Sequence, residues 1–152
     1  METHHIYLTS SNKCNEKDYK VVAWVSRHPP LPVQIRVLEQ HLGCIRIVQV
    51  SGRVPDAESL AGLLDSIGAD IVVPVLPLTI IAKLTEIGRR HKWTVLWAEM
   101  EQVKMLTHKP VANVDYDPYT ETWVKGAEGT YKIMRFKRFH RIVRVRLELE
   151  PW

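Results

Sequence analysis

The sequence predicts an α/β fold: a mainly parallel sheet with helices on its faces, followed by a β-rich C-terminal segment. Three observations predict it. Between residues 20 and 100, apolar strand-like runs alternate three times with helix-spaced stretches, the pattern of βαβ units with right-handed crossovers. The first of these runs, Val21-Val22-Ala23-Trp24-Val25, has no polar alternation, which suits a parallel strand covered on both faces. From Lys104 onward the pattern changes to turns and alternating segments.

The N-terminal 19 residues are polar and irregular, and Ile6-Tyr7-Leu8 fits either a short edge strand or a loose lead-in. His4-His5 has no cysteine or acid at ligand spacing and reads as a chain terminus, not a metal site. After Val25 comes Ser26-Arg27-His28, and then Pro29, Pro30 and Pro32, which hold the backbone extended before a helix start. Val33, Val37, Leu38 and Leu42 share one helix face, and Gly43 is placed as its C-terminal cap. A second strand covers Ile45 to Val50 and stops at Ser51-Gly52-Arg53. Asp56 has the position of an N-cap for a helix with the stripe Leu60, Leu63, Leu64 and Ile67, ended by Gly68. Ile71 to Leu76 is a third strand; Pro74 cannot donate to a ladder, so the strand is interrupted there or lies at an edge. Leu78 to Arg90 is a third amphipathic helix, and Trp93 to Ala98 a fourth strand that runs into Glu99.

Beyond Lys104, Thr120–Val124 and Thr130–Phe136 flank a glycine-containing turn and read as a hairpin. Val143, Val145, Leu147 and Leu149 alternate with Arg144, Arg146, Glu148 and Glu150, the pattern of a half-buried strand. A helix through Ile133, Phe136, Phe139 and Val143 fits the spacing as well. A single domain is expected, with the α/β core over 20–103 and the β-rich extension over 104–152.

Composition narrows the class. Hydrophobic content of 45% with 25% charged residues excludes a disordered chain, and no apolar run approaches the ~18 residues of a membrane span. No basic, then apolar, leader opens the sequence, so a cytoplasmic protein is expected, with no membrane partner. Cys14 and Cys44 form no Cys-x-x-Cys motif, and Cys44 reads as a small buried side chain, not half of a disulfide. The net charge of +4 is unevenly spread: Lys132, Arg135, Lys137, Arg138, Arg141, Arg144 and Arg146 follow one another with no acid among them. This stretch fits an RNA or DNA backbone or simply a solvated face. The interleaved Phe136, Phe139, Ile142 and Val143 favour a packed element.

Glycine-rich dinucleotide and P-loop signatures are missing, as are a zinc-protease helix and a serine-hydrolase elbow. What remains is a set of loops after the strands, which a parallel topology opens on one edge of the sheet, where open α/β sheets bind ligands. These loops offer Ser26, Arg27, His28, Ser51, Arg53, Thr79 and Glu99. Arg27 supplies a planar fork suited to phosphate oxygens, His28 a proton donor or anion partner, and Ser26 and Ser51 hydroxyl donors. The plain alternative pairs Arg27 with an acid such as Glu99, leaves His28 capping a loop, and makes Thr79 an ordinary helix entry. No metal or cofactor is required by these residues.

Two stretches together carry a family resemblance. Val25-Ser26-Arg27-His28-Pro29 resembles the strand-end signature of small accessory proteins of type III CRISPR systems, single-domain relatives of CARF (CRISPR-associated Rossmann-fold) domains. Pro74-Val75-Leu76-Pro77-Leu78-Thr79-Ile80-Ile81-Ala82 resembles their second motif. The resemblance spans about the first hundred residues; Pro30-Leu31-Pro32 stands where some members have Gly-Ala. It implies a Rossmann-like three-layer sandwich and a cyclic oligoadenylate bound across a homodimer cleft. It also implies metal-independent ring-nuclease chemistry, in which a ribose 2′-hydroxyl attacks its own adjacent phosphate. Arg27 would then stabilise charge, His28 act as acid or phosphate contact, and Ser26 position the substrate. Ser51, Arg53, Thr79 and Glu99 would bind it. Two other classes stay open: a non-catalytic nucleotide sensor or sponge with the same loops, and a nucleic-acid-binding or assembly module acting through the basic stretch.

Overall fold

A computed structural model describes residues 1–152. Its strands are β1 (Glu2–Leu8), β2 (Lys20–Val25), β3 (Ile45–Ser51), β4 (Ile71–Pro74), β5 (Thr94–Leu106), β6 (Glu121–Lys125) and β7 (Tyr131–Arg141). The helices are α1 (Pro32–Leu42), α2 (Ala57–Ser66) and α3 (Leu78–His91), with a single 3-10 turn at Glu16–Asp18. None is long and apolar enough to cross a membrane.

The sheet corrects the predicted fold class. Its order is β1-β3-β2-β4-β5-β7-β6, and it is mixed. Strands β3, β2, β4 and β5 pair in parallel, but β1 runs antiparallel to β3, and β6 and β7 form an antiparallel hairpin. Strand exceeds helix, 36% against 25%, so the chain is not a mainly parallel Rossmann-like three-layer sandwich. The reason is local pairing. The polar N-terminal segment zips onto β3 as an edge strand, β5 continues nine residues beyond Trp97, and β7 runs for 11 residues. Antiparallel neighbours need no helical crossover, so the sheet grows without adding helices.

The chain divides into two compact units. The first comprises Met1–Pro29, Cys44–Trp97 and Arg141–Trp152. Here Ala23, Val25, Val50, Val72 and Val95 share a sheet face through the register Val25↔Val50, Ala23↔Val72 and Val72↔Val95. They pack with Leu60, Ala61 and Leu64 of α2, Leu84 of α3, and Trp93. Val22, Trp24, Ile45, Ile47 and Val73, on the other face, are buried as well, as the unbroken apolar run requires. Each such side chain contributes about 1.5–3 kcal/mol. Strand β4 lies between β2 and β5 and ends at Pro74, so the proline terminates a central strand.

Cys14 and Cys44 are joined in a disulfide, which corrects the reading of Cys44 as a lone buried thiol. Thr9 donates its N–H to the Ile45 carbonyl, and Lys20 donates to the Cys44 carbonyl. The segment between them folds back beside the start of β3 and brings the two Cα atoms to 5.9 Å. Closing a loop of 30 residues this way is worth roughly 3–4 kcal/mol in the chain-entropy account.

The second unit comprises Pro30–Gly43 and Ala98–His140. Gln34, buried in α1, accepts the Leu31 N–H at 2.7 Å. Glu121 is buried and faces its cross-strand partner Arg135, with Oε2 at 3.0 Å from Nη2. Ile133 and Phe136 are buried, and the residues around them pair with β6, Ile133 opposite Trp123 and Met134 opposite Thr122, so this stretch is a strand, not a helix. The segment after Arg141 has no regular secondary structure, and the strand expected over 143–150 does not form within the chain.

Candidate functional site

Strand β2 is the switch point of the parallel region: the chain leaves it to β3 on one side and returns to β4 on the other. Crevices outside the carboxyl ends of such strands are where open sheets hold ligands. An open cleft of about 470 Å³ lies there, lined by the ends of β2, β3 and β4 and the residues that follow. That volume is within the range of small-molecule sites.

Four of the predicted residues line it: Ser26, Arg27, His28 and Arg53. The loop after β2 is fixed from below by three hydrogen bonds. The Trp24 indole N–H donates to the His28 carbonyl at 2.9 Å, the Gln49 amide donates to the Ser26 carbonyl at 2.8 Å, and the His28 N–H donates to Ser26 Oγ at 3.1 Å. Ser26 thereby keeps its own O–H to donate. Beyond Pro74, the Val75 N–H continues the ladder to the Val25 carbonyl at 2.9 Å and sets Val75 and Leu76 as the apolar wall. Gly52, at φ +92°, turns the chain after β3 and delivers Arg53 to the cleft; a side chain at that φ would be strained.

The electrostatics are one-sided. No carboxylate lines the cleft, and neither Arg27 nor Arg53 takes part in an ion pair. Two guanidinium forks, an imidazole and a hydroxyl facing one apolar-walled cleft are suited to an anion with several oxygens.

The other predicted residues lie elsewhere. Ser51 is the last residue of β3 and half-buried, and Thr79 is exposed in the first turn of α3; neither lines the cleft. Glu99 was expected in a loop after the fourth strand, but β5 continues through it. It belongs to the second unit and pairs with Arg138 at 3.4 Å and His140 at 3.5 Å. The basic stretch is similarly neutralised in part. Arg135 pairs with Glu121, Lys137 with Glu101 and Arg138 with Glu99, acids supplied by neighbouring strands and invisible in a linear charge count.

Sequence reasoning missed Trp24 and Gln49 as supports of the loop. Trp24 reads as core from its strand position, and it is 4% exposed. The available signal was Gln49, a lone amide inside the apolar run of β3. No group of three or more His, Cys, Asp or Glu side chains is placed to hold a metal ion.

The fold and the cleft define the chain as a mixed α/β protein with a cationic strand-end crevice. No family model matches the chain, and no curated protein or solved structure is significantly similar to it.

Proposed function

We propose that the cleft at the ends of β2, β3 and β4 binds a phosphate-bearing nucleotide, specifically a cyclic oligoadenylate. The observation that carries this reading is the convergence of Arg27, Arg53, His28 and Ser26 on a cleft without a carboxylate. The reading rests on that chemistry and on the two strand-end motifs, not on a Rossmann-like sandwich. A cleft of about 470 Å³ takes part of such a ring, so a homodimer offering two clefts is part of the proposal.

Cleavage is the further step of the same reading. The substrate's 2′-oxygen, losing its proton to solvent, forms a bond to the adjacent phosphorus. The bond from phosphorus to the 5′-oxygen breaks, and His28 supplies the proton that the leaving oxygen takes. Arg27 and Arg53 offset the charge on the non-bridging oxygens, and Ser26 holds one of them. An intracellular second messenger as ligand makes the cytoplasm the site of action in this reading; against it stands the Cys14–Cys44 disulfide, a bond typical of oxidising compartments.

Incubation with cyclic tetra- and hexa-adenylate in EDTA, followed by chromatography and calorimetry, tests both steps. Linear oligoadenylate serves as the control. Binding with turnover supports the nuclease, and binding without turnover leaves a sensor or sponge. No binding of either ring overturns the reading.

A further inference from the structure

The C-terminal segment leaves the fold at a defined point. The Ile142 N–H donates to the Val95 carbonyl at 2.9 Å, and the Arg89 guanidinium donates to the Val143 carbonyl. After that no strand forms, although the residues keep a strand's period of two. Val143 is 70% exposed, Leu147 72% and Leu149 84%. Val145 between them is half-buried beside α3. In an extended conformation these residues share one face, and with three large apolar side chains exposed the segment is a template for strand addition.

The charges on the other face identify the occupant. Arg144 and Arg146 precede Glu148 and Glu150, and none of the four takes part in an ion pair within the chain. If a second copy pairs antiparallel about a two-fold axis through Leu147, Arg144 falls opposite Glu150 and Arg146 opposite Glu148. The same register puts Val145 opposite Leu149, and Leu147 opposite its own copy. All four charge pairs are then of opposite sign, and all apolar residues meet on the other face. A parallel pairing in register would instead set Arg against Arg and Glu against Glu.

We propose that residues 144–150 associate two copies of this chain as an isologous antiparallel strand pair centred on Leu147. The pairing is independent of what the strand-end cleft binds.

The test is sedimentation of the full chain without nucleotide. The wild type is expected to dimerise at micromolar concentration. The variant R144E/R146E and the variant E148R/E150R each turn four attractive pairs into repulsive ones, and each should weaken self-association by about 100- to 1,000-fold. An equimolar mixture of the two restores every opposite-charge pair and should dimerise again. A Leu147→Cys variant should cross-link to itself on mild oxidation much faster than Leu149→Cys, because only position 147 faces its own copy. A monomeric wild type, charge variants that associate like wild type, a mixture that stays monomeric, or equal cross-linking at both positions each overturns the proposal.

Discussion

The indole Nε1 of Trp24 donates to the main-chain carbonyl of His28 at 2.9 Å, so a buried side chain of β2 holds the loop that carries Arg27. Core packing and site geometry are thus linked through one bond. Trp24→Phe keeps an aromatic ring in the core but leaves the His28 carbonyl to water. It should lower stability by about 1–3 kcal/mol, from the lost bond and a small cavity. Ligand affinity should fall beyond that, because the loop is no longer held in place. Thermal melts beside ligand titrations at temperatures below the onset of unfolding check this; unchanged affinity would show that the loop does not need the indole.

Arg27 and Arg53 are exposed at the mouth of the cleft and take part in no ion pair. Arg27→Ala and Arg53→Ala should leave the melting temperature within about 1–2 °C of wild type. Each should weaken binding of cyclic oligoadenylate by roughly 10- to 100-fold, the usual worth of a charge-assisted hydrogen bond. The double variant should lose less than the product if both guanidinium groups grip one phosphate. Calorimetry at fixed salt measures all three. Full binding by Arg27→Ala would remove the cleft from consideration.

Asp56 caps α2, accepting the Ser59 N–H at 2.6 Å. That hydrogen bond holds its carboxyl below the usual carboxylate range. A depressed folded-state pKa means that the cap stabilises the fold fully above the unfolded value of about 3.9, and that this is lost as pH falls through the folded value. Asp56→Ala should therefore melt a few degrees below wild type at neutral pH. The gap should hold down to about pH 5 and close progressively below it. A gap independent of pH would mean that the carboxylate is not the cap.

Gly88 is buried in α3, with the Trp93 indole lying where a Cβ would stand. In an open helix, Gly→Ala stabilises by about 1 kcal/mol. Here the sign should reverse. Gly88→Ala must push the indole out of the core and should cost about 1–3 kcal/mol. A denaturant titration decides it: a more stable Gly88→Ala would show that Trp93 moves aside freely.

What the sequence determined by itself was local. The apolar runs of β2 and β3, the helix stripes, the Asp56 cap, the Gly43 and Gly68 turns and the β6–β7 hairpin all follow from spacing within a few residues, where sterics and hydrogen bonding act on neighbours. The Ser26-Arg27-His28 loop was legible because a buried strand must end somewhere, and three polar residues mark the end. Tertiary structure alone decided what depends on distant partners. A polar N-terminal segment became an edge strand because β3 offered it an unpaired edge. Glu99 moved from loop to mid-strand because β5 has partners past Trp97, and there it neutralises Arg138. Arg53 joined Arg27 because β3 and β2 are adjacent in the sheet. Cys14 met Cys44 because the intervening chain folds back on itself. None of these is a property of a short window of sequence: each is set by which backbone groups, charges or thiols find a partner once the sheet has formed.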